Sequence, residues 1–466
     1  MFQLYEGGLR QNVQISGIHS SGKSIGVYEG KNLYTDFTIP GEVADIRLDR
    51  KKRGFYSGIA ENIIQPSEHR IALTCKHFNI CGGCNWQHIN YAHQLTLKRQ
   101  ILENALVKYN IPFPQLPEVI PSPQLTNYRN KIEYAFAENG IAQCQDSVEY
   151  VKRIAGFHPL GRRDLTLQID ECMLQQEPGW NIYNIVLKCA QQSGISFYDY
   201  ASRSGALRSL VVRTTTTGET LIIIGFTEEI ADAKQELLAN IAKLLPRDTS
   251  LYYTTVPSSE KGYMDGEIIG FNNATWYLQE TIDSMRFRYG PKSFYQPNPE
   301  QARAIYSKVR AMANLNGSEF IVDLYTGVGT IASFVAKQAN KVLGIEGSEE
   351  AIRFANINKD LNQIGNVEFM VGDILETFTP AFVDKIGKPD VIILDPPRSG
   401  TLIEIKKTIL YAAPQKIIYV SCNPVSLAFD LTMLTQGYTI KKMQGFDMFP
   451  NTHHLETLVL LEKNKD

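Results

Sequence analysis

The chain of 466 residues lacks most features that would mark a specialised environment. Its longest apolar runs, such as Leu221 to Phe226 and Val391 to Leu394, fall far short of the roughly 20 residues a membrane helix needs. No membrane span is expected. The N-terminus has no basic stretch followed by an apolar core, so no secretory signal is expected and the chain is placed in the cytoplasm. An excess of charge of one sign is also missing: 47 Lys and Arg face 49 Asp and Glu, so any surface for a polyanion must be local. There is no internal repeat and no low-complexity tract. Cysteine is scarce, at seven residues, and the odd number speaks against a disulfide framework. Three of the seven crowd together at Cys75, Cys81 and Cys84, which points to metal ligation.

What is present is a globular composition, 43% hydrophobic and 21% charged, which can bury cores and is not disordered. The length exceeds one ordinary core, so two to four domains are expected. From about residue 10 to 62, short β-rich runs alternate with Gly-marked turns, which predicts a small barrel of OB type. Its fourth strand runs into Arg47, Arg50, Lys51, Lys52 and Arg53. A solvated hairpin tip and an RNA-backbone contact weigh about equally for that run. After the cysteines, Tyr91 to Tyr109 reads as an amphipathic helix. From about 120 to 290 the pattern is α+β. There Tyr128, Arg129 and Lys131, and again Arg286, Arg288 and Tyr289, are compatible with stacking on single-stranded bases, although an ordinary sheet surface explains them as well.

From Pro299 strands and helices alternate, which predicts a doubly wound parallel α/β sheet of Rossmann type. Its first strand ends in Asp323 and leads into Gly327-Val-Gly329-Thr330, a turn that lets backbone approach a ligand at a helix start. Glu346 ends the second strand, where an acid grips ribose hydroxyls. This pair fits a dinucleotide or S-adenosylmethionine, and Asp323 ahead of the turn favours the methyl donor. Asp373 is expected on the adenine side. Asp395-Pro-Pro-Arg398 closes the fourth strand and aims its carboxylate into the crevice. Cys422, in Ser421-Cys-Asn-Pro424, sits at the same edge before a helix start, where its thiolate is expected to be stabilised. A methyl donor, a thiol and carboxylates suit methylation at C5 of uracil: a thiolate adds to C6, C5 becomes nucleophilic, and a base then removes the C5 proton. Glu456 is the candidate base, although from the residues alone an exposed Glu at the start of a closing strand is the stronger reading. Asp395 is expected to accept the N3 hydrogen of uracil, which cytosine lacks.

Cys75-x5-Cys81-Gly-Gly-Cys84, Phe294-Tyr-Gln296-Pro-Asn298, Asp323 to Thr330, Asp395 to Arg398, Ser421 to Pro424 and Glu456 together resemble the RNA uracil-C5 methyltransferases. The chain is most similar to the 23S rRNA (uracil-5-)-methyltransferase branch, with its N-terminal TRAM-like barrel and iron-sulfur motif. The resemblance implies Cys422 as nucleophile and Glu456 as base. It implies Gln296, Tyr325, Glu346 and Asp395 as binders of S-adenosylmethionine or the target base, with Thr330 and Asp373 added. Tyr325 and Thr330 depart from residues frequent in the family. From chemistry alone a zinc site remains open, with His77 or His88 as fourth ligand. The resemblance implies a [4Fe-4S] cluster on Cys75, Cys81, Cys84 and Cys172 instead.

The expected organisation is a barrel over 1–63, an iron-sulfur and α+β RNA-binding region over 64–290, and a catalytic domain over 291–466. The helix of 91–109 is expected to pack back on the last of these. The partner is RNA, foremost 23S rRNA, and a monomer is expected. Three rivals are weighed: a radical enzyme, whose C-x3-C-x2-C spacing is absent, a non-catalytic RNA-binding assembly factor, and the same chemistry on the T-loop uridine of tRNA.

Overall fold

The computed structural model describes residues 8–49, 54–144, 147–259, 262–272 and 274–465. Its first unit is a closed barrel of β1 (Leu9–Ile18), β2 (Ser24–Tyr28), β3 (Lys31–Asp36), β4 (Val43–Leu48) and β5 (Tyr56–Gln65), in the order β1-β2-β3-β5-β4. Alternate residues Val13, Ile15, Leu33, Ala44, Ile46 and Leu48 fill it, as the two-residue period of a strand requires. Arg47 is held by Glu61 at 2.7 Å. The rest of the basic run, Arg50 to Arg53, lies outside the described residues.

The cysteine segment follows, then α1 (Tyr91–Lys108), capped by the Asn90 side chain accepting from the His93 amide. Leu102, Ala105 and Leu106 of α1 share one apolar core with the last sheet of the chain. The middle of the chain builds β6 (Lys131–Cys144), β7 (Ser147–Phe157), β8 (Leu167–Gln168), β9 (Leu207–Thr214), β10 (Thr220–Phe226), β11 (Thr249–Thr255) and β12 (Ile269–Phe271), ordered β12-β11-β10-β9-β6-β7-β8. Two helices, α2 (Gly179–Gln192) and α3 (Ala231–Leu244), pack their apolar stripes on it. A hairpin of β13 (Leu278–Ile282) and β14 (Met285–Tyr289) joins the next core.

Two aromatic rings proposed above as stacking platforms are interior. Tyr128 is 2% exposed and its hydroxyl donates to the Pro450 carbonyl, while Tyr289 is 1% exposed and stacks on Tyr295 at 4.4 Å. Neither ring can meet a base, because burying it satisfies more apolar surface than the neighbouring cations can draw out to water.

The last region contains α4 (Pro299–Ala313), β15 (Phe320–Leu324), α5 (Thr330–Ala336), β16 (Lys341–Glu346), α6 (Glu349–Leu361), β17 (Val367–Val371), α7 (Ile374–Thr377), α8 (Pro380–Ile386), β18 (Val391–Leu394), α9 (Ile403–Ala412), β19 (Lys416–Ser421), α10 (Pro424–Leu434), β20 (Tyr438–Phe446) and β21 (Glu456–Lys463). The order β17-β16-β15-β18-β19-β21-β20 is parallel through β19 and antiparallel over the last two strands. Strands buried on both faces read as unbroken apolar runs, as Val391 to Leu394 does. Order reverses at β15, so a crevice opens beyond the carboxyl ends of β15, β16 and β18. Among the described residues no helix is long and apolar enough to cross a membrane.

Candidate active site

The turn after β15 is held in an unusual backbone shape. Tyr325, Gly327 and Gly329 all have positive φ, at 64°, 56° and 78°. At Gly329 a Cβ would lie 2.5 Å from the Phe369 ring, so glycine answers both a conformational and a steric demand there. Asp323 accepts from the Thr326 hydroxyl at 2.6 Å. Glu346 closes the turn from the next strand: its Oε2 accepts from Gly327 N at 3.2 Å and its Oε1 from Ser348 N at 3.0 Å. That carboxylate therefore stands beside the glycine turn, at the edge where two ribose hydroxyls of a bound nucleoside would lie. Gly327 has open space where a Cβ would be, which leaves the backbone approachable. The arrangement fits the adenosine half of S-adenosylmethionine.

Thr330 opens α5, and Tyr306 of α4 bonds to it while facing the carboxylates of Asp395, Glu456 and Asp323. Gln296 is buried just ahead of α4, its carbonyl accepting from Asn130 Nδ2 at 2.9 Å. Tyr325 is half-buried against the core beneath the turn, near Thr401 and within the field of Asp373 and Glu346. Asp373 is exposed and its Oδ1 caps α7, accepting from Leu375 N at 2.8 Å and Glu376 N at 3.3 Å.

At the ends of β18, β19 and the start of β21 four groups meet. Asp395 follows β18, Cys422 follows β19, and Glu456 begins β21, where it pairs across with Phe446. Arg398, at the end of the Pro396-Pro397 turn, faces both Cys422 and Glu456, and its Nη2 lies 3.0 Å from His454 Nδ1. The Arg398 carbonyl accepts from Asn423 Nδ2 at 2.9 Å and Ser426 Oγ at 3.1 Å, which ties the β18 turn to the start of α10.

Burial, with the Asp395 charge adding, pushes Glu456 up to about 8, and Arg398 opposes that rise. Burial and the Asp323 charge push Asp395 up to about 7, while burial alone accounts for most of the rise of Asp323 to about 7. Cys422 departs from the expectation of a stabilised thiolate. Burial, Glu456 and Asp395 push its thiol up to about 12, with Arg398 pulling the other way. The helix start is present, but burial, with two carboxylates close by, outweighs it. The sequence reading did not assign Arg398 or His454 a role. The signal was present in the cation ending Asp395-Pro-Pro-Arg398 and in the His two residues before Glu456.

The four metal-ligand candidates line one cavity of about 1090 Å³ in the middle region, together with His77 and Arg129. The thiols of Cys75, Cys81, Cys84 and Cys172 lie within one another's field. Amide donors face three of the sulfurs: Gly83 N at 3.4 Å from Cys81 Sγ, the Gln87 side chain at Cys84, and the Leu174 and Gln175 backbone at Cys172. His77 accepts from the Asp170 amide through Nε2. Burial lowers His88 to about 3, and it sits 3.5 Å from the Thr38 carbonyl. Among the described residues no three His, Cys, Asp or Glu side chains close on a single point as one metal ion requires.

Residues 210–464, more than half of the chain and every candidate of the crevice, match the family model described as tRNA (uracil-5-)-methyltransferase. The chain belongs to this family. An uncharacterized RNA methyltransferase of Bacteroides thetaiotaomicron is 37% identical over 451 residues, covering 95% of this chain and 99% of its own length. One from Porphyromonas gingivalis is 36% identical over 466 residues, covering 97% and 100%. Among solved structures, the Pyrococcus abyssi tRNA (uracil-54, C5)-methyltransferase in complex with S-adenosyl-L-homocysteine superposes with a TM-score of 0.75 at 27% identity, covering 97% of this chain and 99% of that one. The protein is thus an S-adenosylmethionine-dependent RNA methyltransferase of the uracil-5 family, and the assembly-factor reading falls away. The four cysteines of the cavity lie outside the matched residues 210–464, so the family model says nothing of them.

Proposed function

We propose that this methyltransferase converts a uridine of 23S rRNA to 5-methyluridine through a covalent adduct on Cys422. The observation that carries the reading is the convergence of Cys422, Glu456, Asp395 and Arg398 at one sheet edge, beside the glycine turn closed by Glu346. The sulfonium of the donor supplies the methyl group. Glu346 orients the ribose, and Gln296, Tyr325, Thr330 and Asp373 complete the pocket for donor and base. Asp395 accepts the N3 hydrogen of the uracil.

Cys422 gives up its proton to solvent and bonds to C6, and the C5–C6 electron pair moves onto C5 and O4. C5 takes the methyl group as the donor's sulfur keeps its bonding pair. Glu456, as a carboxylate, then takes the C5 proton. The C5–C6 double bond re-forms and the C6–S pair returns to Cys422, so one proton is released per turnover. The target base must be turned out of its stack, because both faces of C5 and C6 are engaged.

Residues 1–63 and 64–290 hold the RNA in this reading, and 291–466 perform the transfer. The ring of Cys75, Cys81, Cys84 and Cys172 holds a [4Fe-4S] cluster. Its amide donors suit thiolate ligands, and thiolates spread around a cavity suit a cluster better than one ion. Such a group would supply cross-linking of the middle region. We place the protein in the cytoplasm, where its seven free cysteines stay reduced, and take it as a monomer.

The whole-length likeness to a tRNA (uracil-54, C5)-methyltransferase favours a second reading, the T-loop uridine of tRNA. Mapping 5-methyluridine in rRNA and tRNA from a strain lacking the protein decides between them. Loss from neither RNA overturns both. In vitro, Cys422→Ala forms no RNA adduct, whereas Glu456→Gln accumulates a methylated one that depends on Cys422. Normal turnover by either variant removes the mechanism.

A further inference from the structure

The buried face of α1 carries two polar side chains among Leu97, Ile101, Leu102 and Ala105. Gln94 is 2% exposed and Lys98 is fully buried, and their spacing of four residues puts them on the same face, one turn apart. Both reach the same segment, residues 447–455, which leaves the end of β20 and returns to Glu456 at the start of β21. Lys98 Nζ donates to Asp447 Oδ1 at 2.5 Å and to the Phe449 carbonyl at 3.1 Å. Gln94 Oε1 accepts from Asn451 N at 3.0 Å, and its Nε2 donates to Asn451 Oδ1 at 3.3 Å. Asp447 Oδ1 also accepts from Phe449 N at 3.1 Å, so one carboxylate oxygen joins α1 to the first turn of the segment.

Packing does not explain this pair. Two charges with no exposed side-chain surface are costly to desolvate, and apolar side chains of like volume commonly serve a core as well or better. What an ammonium adds is direction, since it fixes a carboxylate and a carbonyl at set angles. Direction is what Glu456 needs. The backbone on either side of Glu456 carries its side chain into the crevice. On one side β21 is paired into the sheet; on the other stands the segment that α1 holds.

We infer that Lys98 and Asp447 are positioning residues for the base: their ion pair fixes the segment 447–455 so that Glu456 meets the C5 proton of the adduct on Cys422. The inference rests on Glu456 being that base.

The test is the full-length double variant Lys98→Met/Asp447→Asn, which removes both charges and keeps chain length and the acceptor for Phe449 N. It is assayed beside wild type and Glu456→Gln for melting, donor affinity, kcat, KM and adduct on a denaturing gel. The variant is expected to melt near wild type and to bind S-adenosylmethionine and RNA with constants within about threefold, while kcat falls about tenfold or more and the methylated adduct accumulates. A merely structural pair would change melting without trapping adduct. Should that variant not fold, Lys98→Met/Asp447→Leu, an apolar pair of similar volume, takes the same measurements. Wild-type kcat in a folded double variant, or a lower kcat with no trapped adduct, overturns the positioning role while leaving Glu456 as base if Glu456→Gln still traps adduct. Normal turnover by Glu456→Gln overturns both.

Discussion

Glu346 reaches back from the end of β16 to accept the Gly327 amide at 3.2 Å, so the acid proposed to hold the ribose also fixes the glycine turn. Replacing it with Ala removes a charged acceptor and loosens the glycine turn together. The expected result is a loss of about 10- to 100-fold in S-adenosylmethionine affinity by calorimetry, from the 1.5–3 kcal/mol that charged hydrogen bonds contribute, with RNA affinity unchanged. An unaltered donor affinity removes Glu346 from the pocket.

Glu456 and Asp395 hold their protons to about 8 and about 7, well above ordinary carboxylates. Raised carboxylate affinities mean the folded chain binds more protons than the unfolded one between about pH 4 and 8. Stability therefore falls as pH rises through that window. Glu456→Gln is expected to melt higher than wild type at pH 8, by on the order of 1–3 kcal/mol, and to match it near pH 4. Equal melting at both pH values contradicts the buried, uncompensated carboxylate.

The same proton shapes the rate. With proton removal by Glu456, the proposed base, as the limiting step, kcat is expected to climb from pH 6 to about 8 as its carboxyl ionises. A flat profile over this range, measured with single-turnover controls, assigns the limiting step elsewhere.

Arg398 pulls both Cys422 and Glu456 toward their charged forms. Arg398→Gln is expected to shift the ascending limb of the pH–rate profile upward by about one unit and to slow adduct formation about tenfold or more at pH 7.5. An unchanged limb with a pure KM effect makes Arg398 an RNA contact instead.

For the cysteine cavity, anaerobically purified protein is expected to carry about four irons and a visible absorbance band, lost together with any one of Cys75, Cys81, Cys84 or Cys172 and retained in Cys144→Ser. One zinc and no iron overturns the cluster assignment.

Much of the architecture was legible from local pattern. The strands over Val391–Leu394 and Lys416–Ser421 lie where their apolar runs end at turn residues, because a strand buried on both faces tolerates little else. The glycine turn was visible because only glycine takes positive φ without strain. Resemblance, rather than spacing, brought Cys172 to the other three cysteines, since nothing local links it to them.

Tertiary structure alone decided the rest. The bond from Lys98 to Asp447 crosses 349 positions and that from Asn85 to His453 crosses 368, distances over which sequence period carries no information. Whether Tyr128 and Tyr289 stack on RNA or fill a core depended on which faces the finished sheets covered. The Cys422 proton affinity likewise depended on the finished fold: burial of the thiol comes first, setting β21 against β19 brings Glu456 beside it, and together these outweigh a helix start. Local sequence specifies period, turns and caps through short-range sterics, whereas the charges that meet at a site are set by which strands pair, and that is settled by burying the whole core at once.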